Sequence, residues 1–130
     1  MGSAYKGPER RRFERIPVDL TITYKVHESL KIKMVVGERE IEAEVSDLSE
    51  GGMSIVTNYD IPISSILLMT FSLVTIKDGG QDRKAVTATG EVRYNILLGQ
   101  AGHRLGISFS EISKDDKETI SAFISNALSK

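Results

Sequence analysis

The chain has 130 residues, a length typical of one domain. Apolar residues make up 40% of it, and the 11 glycines raise that share to about 48%, which excludes wholesale disorder. There is no Cys, so disulfides, thiolate metal sites and cysteine nucleophiles are excluded. No run reaches the roughly 18 apolar residues of a membrane helix, and the charged N-terminus lacks the apolar core of a signal peptide. We therefore expect a cytoplasmic protein without membrane insertion.

The net charge of −1 conceals an asymmetry between the first 16 residues and the rest. Those residues hold five cationic side chains and two carboxylates, a net charge of +3 that leaves −4 for the remainder. The five cations are Lys6, Arg10, Arg11, Arg12 and Arg15. Charge without periodicity predicts a flexible basic arm over residues 1–16, ahead of a folded domain over residues 17–130. Guanidinium groups suit phosphates and guanine edges, so the arm favours an anionic partner.

Alternation of apolar and polar residues predicts the strands. Apolar residues occupy every second position in seven runs, at 18–26, 30–36, 41–45, 53–55, 67–73, 86–94 and 105–109. In the sixth run Val92 and Tyr94 take inward positions, and Gly90, inward as well, marks a bend or bulge. Turn signals lie between the runs at Gly37-Glu38, Asn58 to Pro62, Asp78-Gly79-Gly80 and Gly99 to Gly102. Six or seven short strands without alternating helices predict an antiparallel barrel or sandwich.

The end of the chain changes to the helical period. An apolar stripe at helical spacing comprises Ile120, Phe123, Ile124, Ala127 and Leu128. Ser113 is a suitable N-cap with Asp116 three residues on, where negative charge favours the positive end of the helix dipole. A C-terminal α-helix that covers the core is the prediction.

The first motif is the run Arg10-Arg11-Arg12-Phe13-Glu14-Arg15-Ile16-Pro17, directly before the first predicted strand. Arg11 and Arg15 are four residues apart, so a bent or helical turn brings both guanidinium groups to one ligand. Pro17 restricts the residue before it to an extended conformation and marks the entry to the strand. By itself, such a run is more typical of a solvated basic tail.

The second motif is Asp47-Leu48-Ser49-Glu50-Gly51-Gly52, between two predicted strands. Asp and Ser side chains bond backbone groups two residues on, and paired glycines tolerate positive φ, so a tight turn accounts for the residues. A functional interpretation also fits, because a carboxylate and a hydroxyl two residues apart can hydrogen-bond a planar base. A glycine then lets the ligand approach the backbone closely.

Together the two motifs resemble those of the PilZ domain family. The likeness extends through Leu105-Gly106-Ile107-Ser108-Phe109 and the predicted helix, from about Glu9 to Leu128. The resemblance implies a mainly β fold, a small six-stranded antiparallel barrel with a C-terminal α-helix. It also implies a receptor for the bacterial second messenger cyclic di-GMP that relays the signal by arm docking and conformational change to an unidentified downstream protein.

The resemblance assigns the ligand-binding residues one by one. Two arginines of the first motif hold phosphate and guanine, while the carboxylate and serine of the second hold a guanine edge. Guanine offers O6 and N7 acceptors to a bidentate arginine and N–H donors to a carboxylate. A further arginine before the first motif pair can stack on an extra guanine, which favours two ligand molecules per chain. The residues so assigned are Arg10, Arg11, Arg15, Asp47, Ser49 and Gly52.

Other functions were weighed against this one. A PilZ-like interaction domain that binds no nucleotide is the main alternative, and the intact motifs argue against it. A nucleic-acid-binding barrel is disfavoured because residues 17–130 are acidic and lack a row of exposed aromatics. Ser49 and Ser54 lie outside a nucleophile elbow, so we expect no enzyme. No Cys or second nearby His completes a metal set with His103, so we expect no metal, and we expect no cofactor. Arg93 and Arg104 lie on late strands where they could wall the ligand, but they are interpreted as solvated strand residues.

Overall fold

The computed structural model describes residues 15–27 and 40–128. At Lys77 it describes the backbone alone. Six strands and one α-helix occupy these ranges, together with one 3₁₀ turn at Gly99–Ala101. The elements in chain order are β1 (Ile16–Val26), β2 (Ile41–Ser49), β3 (Gly52–Thr57), β4 (Ile66–Lys77), β5 (Gly80–Leu97), β6 (His103–Ile112) and α1 (Lys114–Leu128).

The six strands close into a barrel in the order β1-β2-β3-β6-β5-β4, in which β4 returns to pair with β1. Every pairing is antiparallel. The closing contact matches Thr23 with Thr70 and Val26 with Leu67. The predicted mainly β, six-stranded antiparallel barrel with a C-terminal helix is confirmed.

The alternating apolar residues fill the barrel interior. Buried side chains from all six strands form one cluster, in which Ile22, Met53, Leu67, Val86 and Leu105 are at most 1% exposed. Tyr24 crosses this interior, and its phenol lies 2.7 Å from the hydroxyl of Thr57. Burial raises the pKa of the Tyr24 phenol, so the buried group stays neutral.

The helix α1 covers this interior. Its Ile120 and Ile124 are buried in the cluster, and Phe123 packs partly against it. The Ser113 hydroxyl accepts a hydrogen bond from the Asp116 backbone N–H at 3.1 Å, which satisfies one of the free donors of the first turn. The N-cap and the inward stripe of Ile120, Phe123 and Ile124 are therefore confirmed, whereas Ala127 and Leu128 at the end of the helix are exposed.

Strand β5 is bent by two irregularities in its pairing with β6, at Thr89/Gly90 and at Val92/Tyr94. Gly90 is buried, and a methyl group there would lie 2.9 Å from Met69 Cε. The bulge predicted at Gly90 is confirmed, whereas the second irregularity was not predicted. It shifts the alternation so that Tyr94, expected to face inward, is 37% exposed.

Three features predicted from the sequence lie outside the described residues. These are most of the basic arm, the alternating run at 30–36, and the turn at Gly37-Glu38. Within the described ranges, no helix is both long and apolar enough to cross a membrane.

Candidate ligand-binding pocket

A pocket of about 440 Å³ lies where the start of β1 meets the β2–β3 hairpin and strands β5 and β6. The pocket is lined by residues that are far apart in the sequence, from Arg15 to Ser108. They come together because β3 pairs with β6 and β6 pairs with β5. Its lining residues are Arg15, Asp47, Ser49, Gly51, Ser54, Arg93, Tyr94, Gly106, Ile107 and Ser108. Three of the residues assigned from the sequence, Arg15, Asp47 and Ser49, thus come together.

Arg15 and Asp47 form an ion pair at this pocket. The pairing of β1 with β2 matches Pro17 with Asp47 and so brings Arg15 beside the carboxylate. The Arg15 guanidinium donates to Asp47 Oδ1 at 2.6 Å, and the two side chains are 48% and 33% exposed. A pair this exposed contributes little to folding. The ion pair instead holds a cation and a hydrogen-bond acceptor side by side, where a ligand can reach both.

Ser49 braces the hairpin between β2 and β3. Its hydroxyl oxygen lies 3.2 Å from the N–H groups of both Gly51 and Gly52, which donate to it. The hydroxyl itself lies 3.3 Å from the Gly52 carbonyl, which accepts. Ser49 is 2% exposed. The turn-forming account of this residue therefore holds in the structure, and a ligand-binding role for it stays a prediction.

Gly52 is required by the packing of two strands. It pairs with Ser108, and a side chain at Gly52 would overlap the carbonyl oxygen of Ile107. Gly51, rather than Gly52, lines the pocket. Close approach of a ligand to Gly52 stays a prediction.

The opposite wall comes from β5 and β6 and was not predicted from the sequence. Arg93, interpreted as a solvated residue, lines the pocket from the bulge, although it is 64% exposed and 3.8 Å from the Glu91 carboxylate. Tyr94 lies beside it, with its hydroxyl 2.9 Å from that of Ser54. Arg104 is exposed on β6 and is not a lining residue. Sequence analysis missed Tyr94 because strict alternation places it in the core, and nothing in the sequence marks the irregularity at Val92/Tyr94.

The charges of the pocket favour an anion. The lining includes two arginines, Arg15 and Arg93, and one carboxylate, Asp47, so the lining residues carry a net charge of +1. Hydroxyl groups and exposed backbone add hydrogen-bonding capacity around an aromatic ring. In the described ranges, no three His, Cys, Asp or Glu side chains are grouped to hold a metal ion. The arrangement thus suits an anionic ligand that carries a planar group.

Arg10 and Arg11 lie outside the described residues, so their position relative to this pocket stays a prediction. Arg15, the second arginine of the first motif, is the member of the pair that the structure describes. Its side chain enters the pocket from the chain segment that directly precedes β1.

The chain belongs to the PilZ domain family, whose model matches residues 9–126. The family resemblance found in the two motifs is thereby confirmed. The matching family is one of regulatory receptor domains and not of enzymes. A search of curated proteins gave no match.

Solved structures show the same fold at low sequence identity. The chain is similar to the Bacillus subtilis inhibitor of motility MotI/DgrA, with TM-score 0.69, 18% identity, and coverage of 93% of this chain and 53% of that one. It thus spans about half the length of that protein. The PilZ domain of YcgR from Escherichia coli, solved with c-di-GMP, has TM-score 0.55, 14% identity, and coverage of 92% and 93%. The K. pneumonia MrkH complex with c-di-GMP has TM-score 0.61, 14% identity, and coverage of 92% and 52%.

Proposed function

We propose that this chain is a receptor that binds cyclic di-GMP in the pocket between Arg15, Asp47 and the wall formed by β5 and β6. The observation that carries the proposal is the pairing of Arg15 with Asp47 beside the hairpin that Ser49 braces. This contact unites two motifs that lie 32 residues apart in the sequence. PilZ domains of the same fold have been solved with this dinucleotide, which supports the assignment.

The chemistry of the pocket matches the ligand group by group. A guanidinium can donate two parallel hydrogen bonds to a phosphate or to guanine O6 and N7. The Asp47 carboxylate can accept from the guanine N1 and N2 donors, and its partner Arg15 neutralises its charge beside the phosphates. The ligand thus meets two partly exposed charges, those of Arg15 and Asp47. Its electrostatic interactions with them become stronger as it displaces water.

The signal passes on through the basic arm in this proposal. Docking Arg10 and Arg11 onto the bound dinucleotide costs conformational entropy, which charge-assisted hydrogen bonds and stacking on guanine offset. Because ligand favours the docked arm over the free arm, binding changes the surface offered to a downstream protein.

Isothermal titration with cyclic di-GMP tests the binding, with GTP and a single-stranded oligonucleotide as alternative ligands. Arg15→Ala should weaken binding about 10- to 150-fold, since a charge-assisted contact is typically worth about 1.5 to 3 kcal/mol. Its matched control is Arg83→Ala, because Arg83 is exposed on β5 opposite Val74 and does not line the pocket. That control should bind like the wild type.

Each result discriminates between the functions. Saturable heat with cyclic di-GMP alone, reduced in Arg15→Ala only, supports the receptor. No heat with any nucleotide favours the interaction domain, and heat with the oligonucleotide favours a nucleic-acid-binding barrel. Equal affinity in both arginine variants would remove Arg15 from the site.

A further inference from the structure

Tyr94 is held in the pocket by two contacts that leave one side of it open. Its hydroxyl is 2.9 Å from the hydroxyl of Ser54, which is 1% exposed. Its ring lies over Gly106, where a side chain would overlap the ring carbons. Yet 37% of Tyr94 remains exposed, and it lines the pocket. Tyr94 is thus held at its hydroxyl and on the side that packs on Gly106, while part of it stays open to the pocket.

The ring presents its face, not its edge, to the backbone of Gly106. A methyl group built at Gly106 would be nearest to Cε2 of the ring and equally distant from the two neighbouring carbons, Cδ2 and Cζ. Those two carbons would be only slightly farther away than Cε2, as expected for a point above the ring plane, whereas an approach within the ring plane would leave them much farther away. Since one face is packed on Gly106, the opposite face is the one that can meet a ligand in the pocket that Tyr94 lines.

Strand register places this face next to the carboxylate of the site. Asp47 pairs with Ser54, Ser54 with Gly106, and Gly106 with Tyr94, so the four residues form one row across four strands. Tyr94 reaches back along the row until its hydroxyl meets Ser54, which is the direct neighbour of Asp47. Neighbouring strands lie about 4.8 Å apart. A planar base lying on the ring would therefore have its edge directed toward Asp47.

We propose that Tyr94 is the stacking platform for a nucleobase of the ligand, with Ser54 and Gly106 as the residues that position its ring. This inference rests on the proposed function and deepens it, because it assigns the second wall of the pocket. The irregularity at Val92/Tyr94 is what turns the ring outward, as bulges commonly do next to binding sites. A base between the ring face and Arg15 would stack on one side and meet a guanidinium on the other.

Titration of cyclic di-GMP into Tyr94 variants tests the platform. Tyr94→Leu should weaken binding about 5- to 150-fold, the range expected for loss of one base–aromatic stack. Tyr94→Phe keeps the ring and loses only the Ser54 contact, so it should lose less affinity than Tyr94→Leu. The matched control is Ile96→Ala, since Ile96 is on the same strand, is 49% exposed and does not line the pocket.

Tyrosine ring signals in NMR spectra of the wild-type protein give a second readout, for which a variant serves only to assign the signal. The chain has four Tyr, and Tyr94→Phe identifies the signal of Tyr94. Stacking of a guanine should move that signal upfield when the dinucleotide is added to the wild-type protein. A Tyr94 signal that stays in place at saturation overturns the platform, whatever the variants do.

The test separates this inference from the function on which it rests. If Arg15→Ala loses binding while Tyr94→Leu retains it, the platform is wrong and the receptor function stands. If the wild-type protein binds no cyclic di-GMP, both are wrong. If Tyr94→Leu and Ile96→Ala lose equal affinity, the loss reflects the strand and not the ring, which also contradicts the platform.

Discussion

At the scale of single residues, Asp47 and Ser49 differ in what their side chains already do without a ligand. The Asp47 carboxylate is 33% exposed and paired with Arg15 alone among the described residues, whereas the Ser49 hydroxyl is buried in the turn. Removal of the Asp47 carboxylate should therefore lower the affinity for the ligand, and removal of the Ser49 hydroxyl should lower the stability of the fold. The two motif residues are chemically separable.

Asp47→Ala should lower the affinity for cyclic di-GMP more than tenfold and leave the circular dichroism spectrum β-rich. Ser49→Ala should lower the free energy of unfolding by about 1 to 3 kcal/mol, because it leaves the buried N–H of Gly52 and the half-buried N–H of Gly51 without their acceptor. Titration and denaturant unfolding of both variants measure these effects. An unfolded Asp47→Ala would instead show that this carboxylate braces the turn.

The sequence indicates which residues lie together where a motif is local, whereas their binding role stays a prediction. Asp47 and Ser49 are two residues apart on one hairpin, so their proximity follows from the chain itself. Arg93 and Tyr94 reach the pocket only through the pairing of β5 with β6 and an irregularity within it. No local pattern marks that irregularity, and strict alternation assigned Tyr94 to the interior.

At the scale of elements, the helix α1 depends on its N-cap. Ser113→Ala removes the acceptor for the Asp116 N–H and should cost about 1 kcal/mol of stability. For a domain of this size, that corresponds to a fall in the thermal midpoint of about 4 °C. Ser113→Asp keeps an acceptor at the cap and should melt near the wild type. Calorimetry of both variants checks the prediction, and equal melting of Ser113→Ala and wild type would contradict it.

Most elements could be predicted because half-buried strands and a surface helix impose different periods on their apolar residues. The lengths of the strands could not be predicted in the same way. Strand β5 runs from Gly80 to Leu97, well beyond the alternating run at 86–94, because its first residues pair with β4 in a ribbon joined at Asp78 and Gly79. Ribbon residues such as Arg83 and Lys84 are exposed, so burial leaves no periodic mark on them.

At the scale of the whole molecule, the pairing of β3 with β6 is what brings the two walls of the pocket together. The order β1-β2-β3-β6-β5-β4 sets β3 beside β6, two strands far apart in the sequence. Antiparallel hairpins follow from short turns, whereas this long-range pairing depends on packing of the complete core. The alternation of residues predicted six or seven strands in a barrel or sandwich, and the family resemblance implied the six-stranded barrel. Neither specified that β3 pairs with β6.

The distribution of charge favours a particular binding event for the molecule as a whole. Residues 1–16 carry a net charge of +3 and the remainder −4, while the described pocket supplies two arginines against one carboxylate. A ligand with two phosphates at the pocket would draw the arm toward it. Arg10, directly before Arg11, then brings a guanidinium that can stack on a further guanine.

We therefore expect two intercalated cyclic di-GMP molecules per chain, bound together with docking of the arm. Titration of the wild-type protein should give a stoichiometry near two, and Arg10→Leu should shift it toward one, because leucine cannot stack on guanine as a cation. Amide hydrogen exchange of residues 5–16 should be fast without ligand, because this segment has few apolar side chains to bury. It should slow when ligand saturates the protein, because docking shields the backbone from water. Arg83→Ala, remote from the pocket, should change neither result. A one-to-one wild-type complex would contradict the stacking of a second ligand, and exchange in residues 5–16 unchanged by saturating ligand would contradict the docking of the arm.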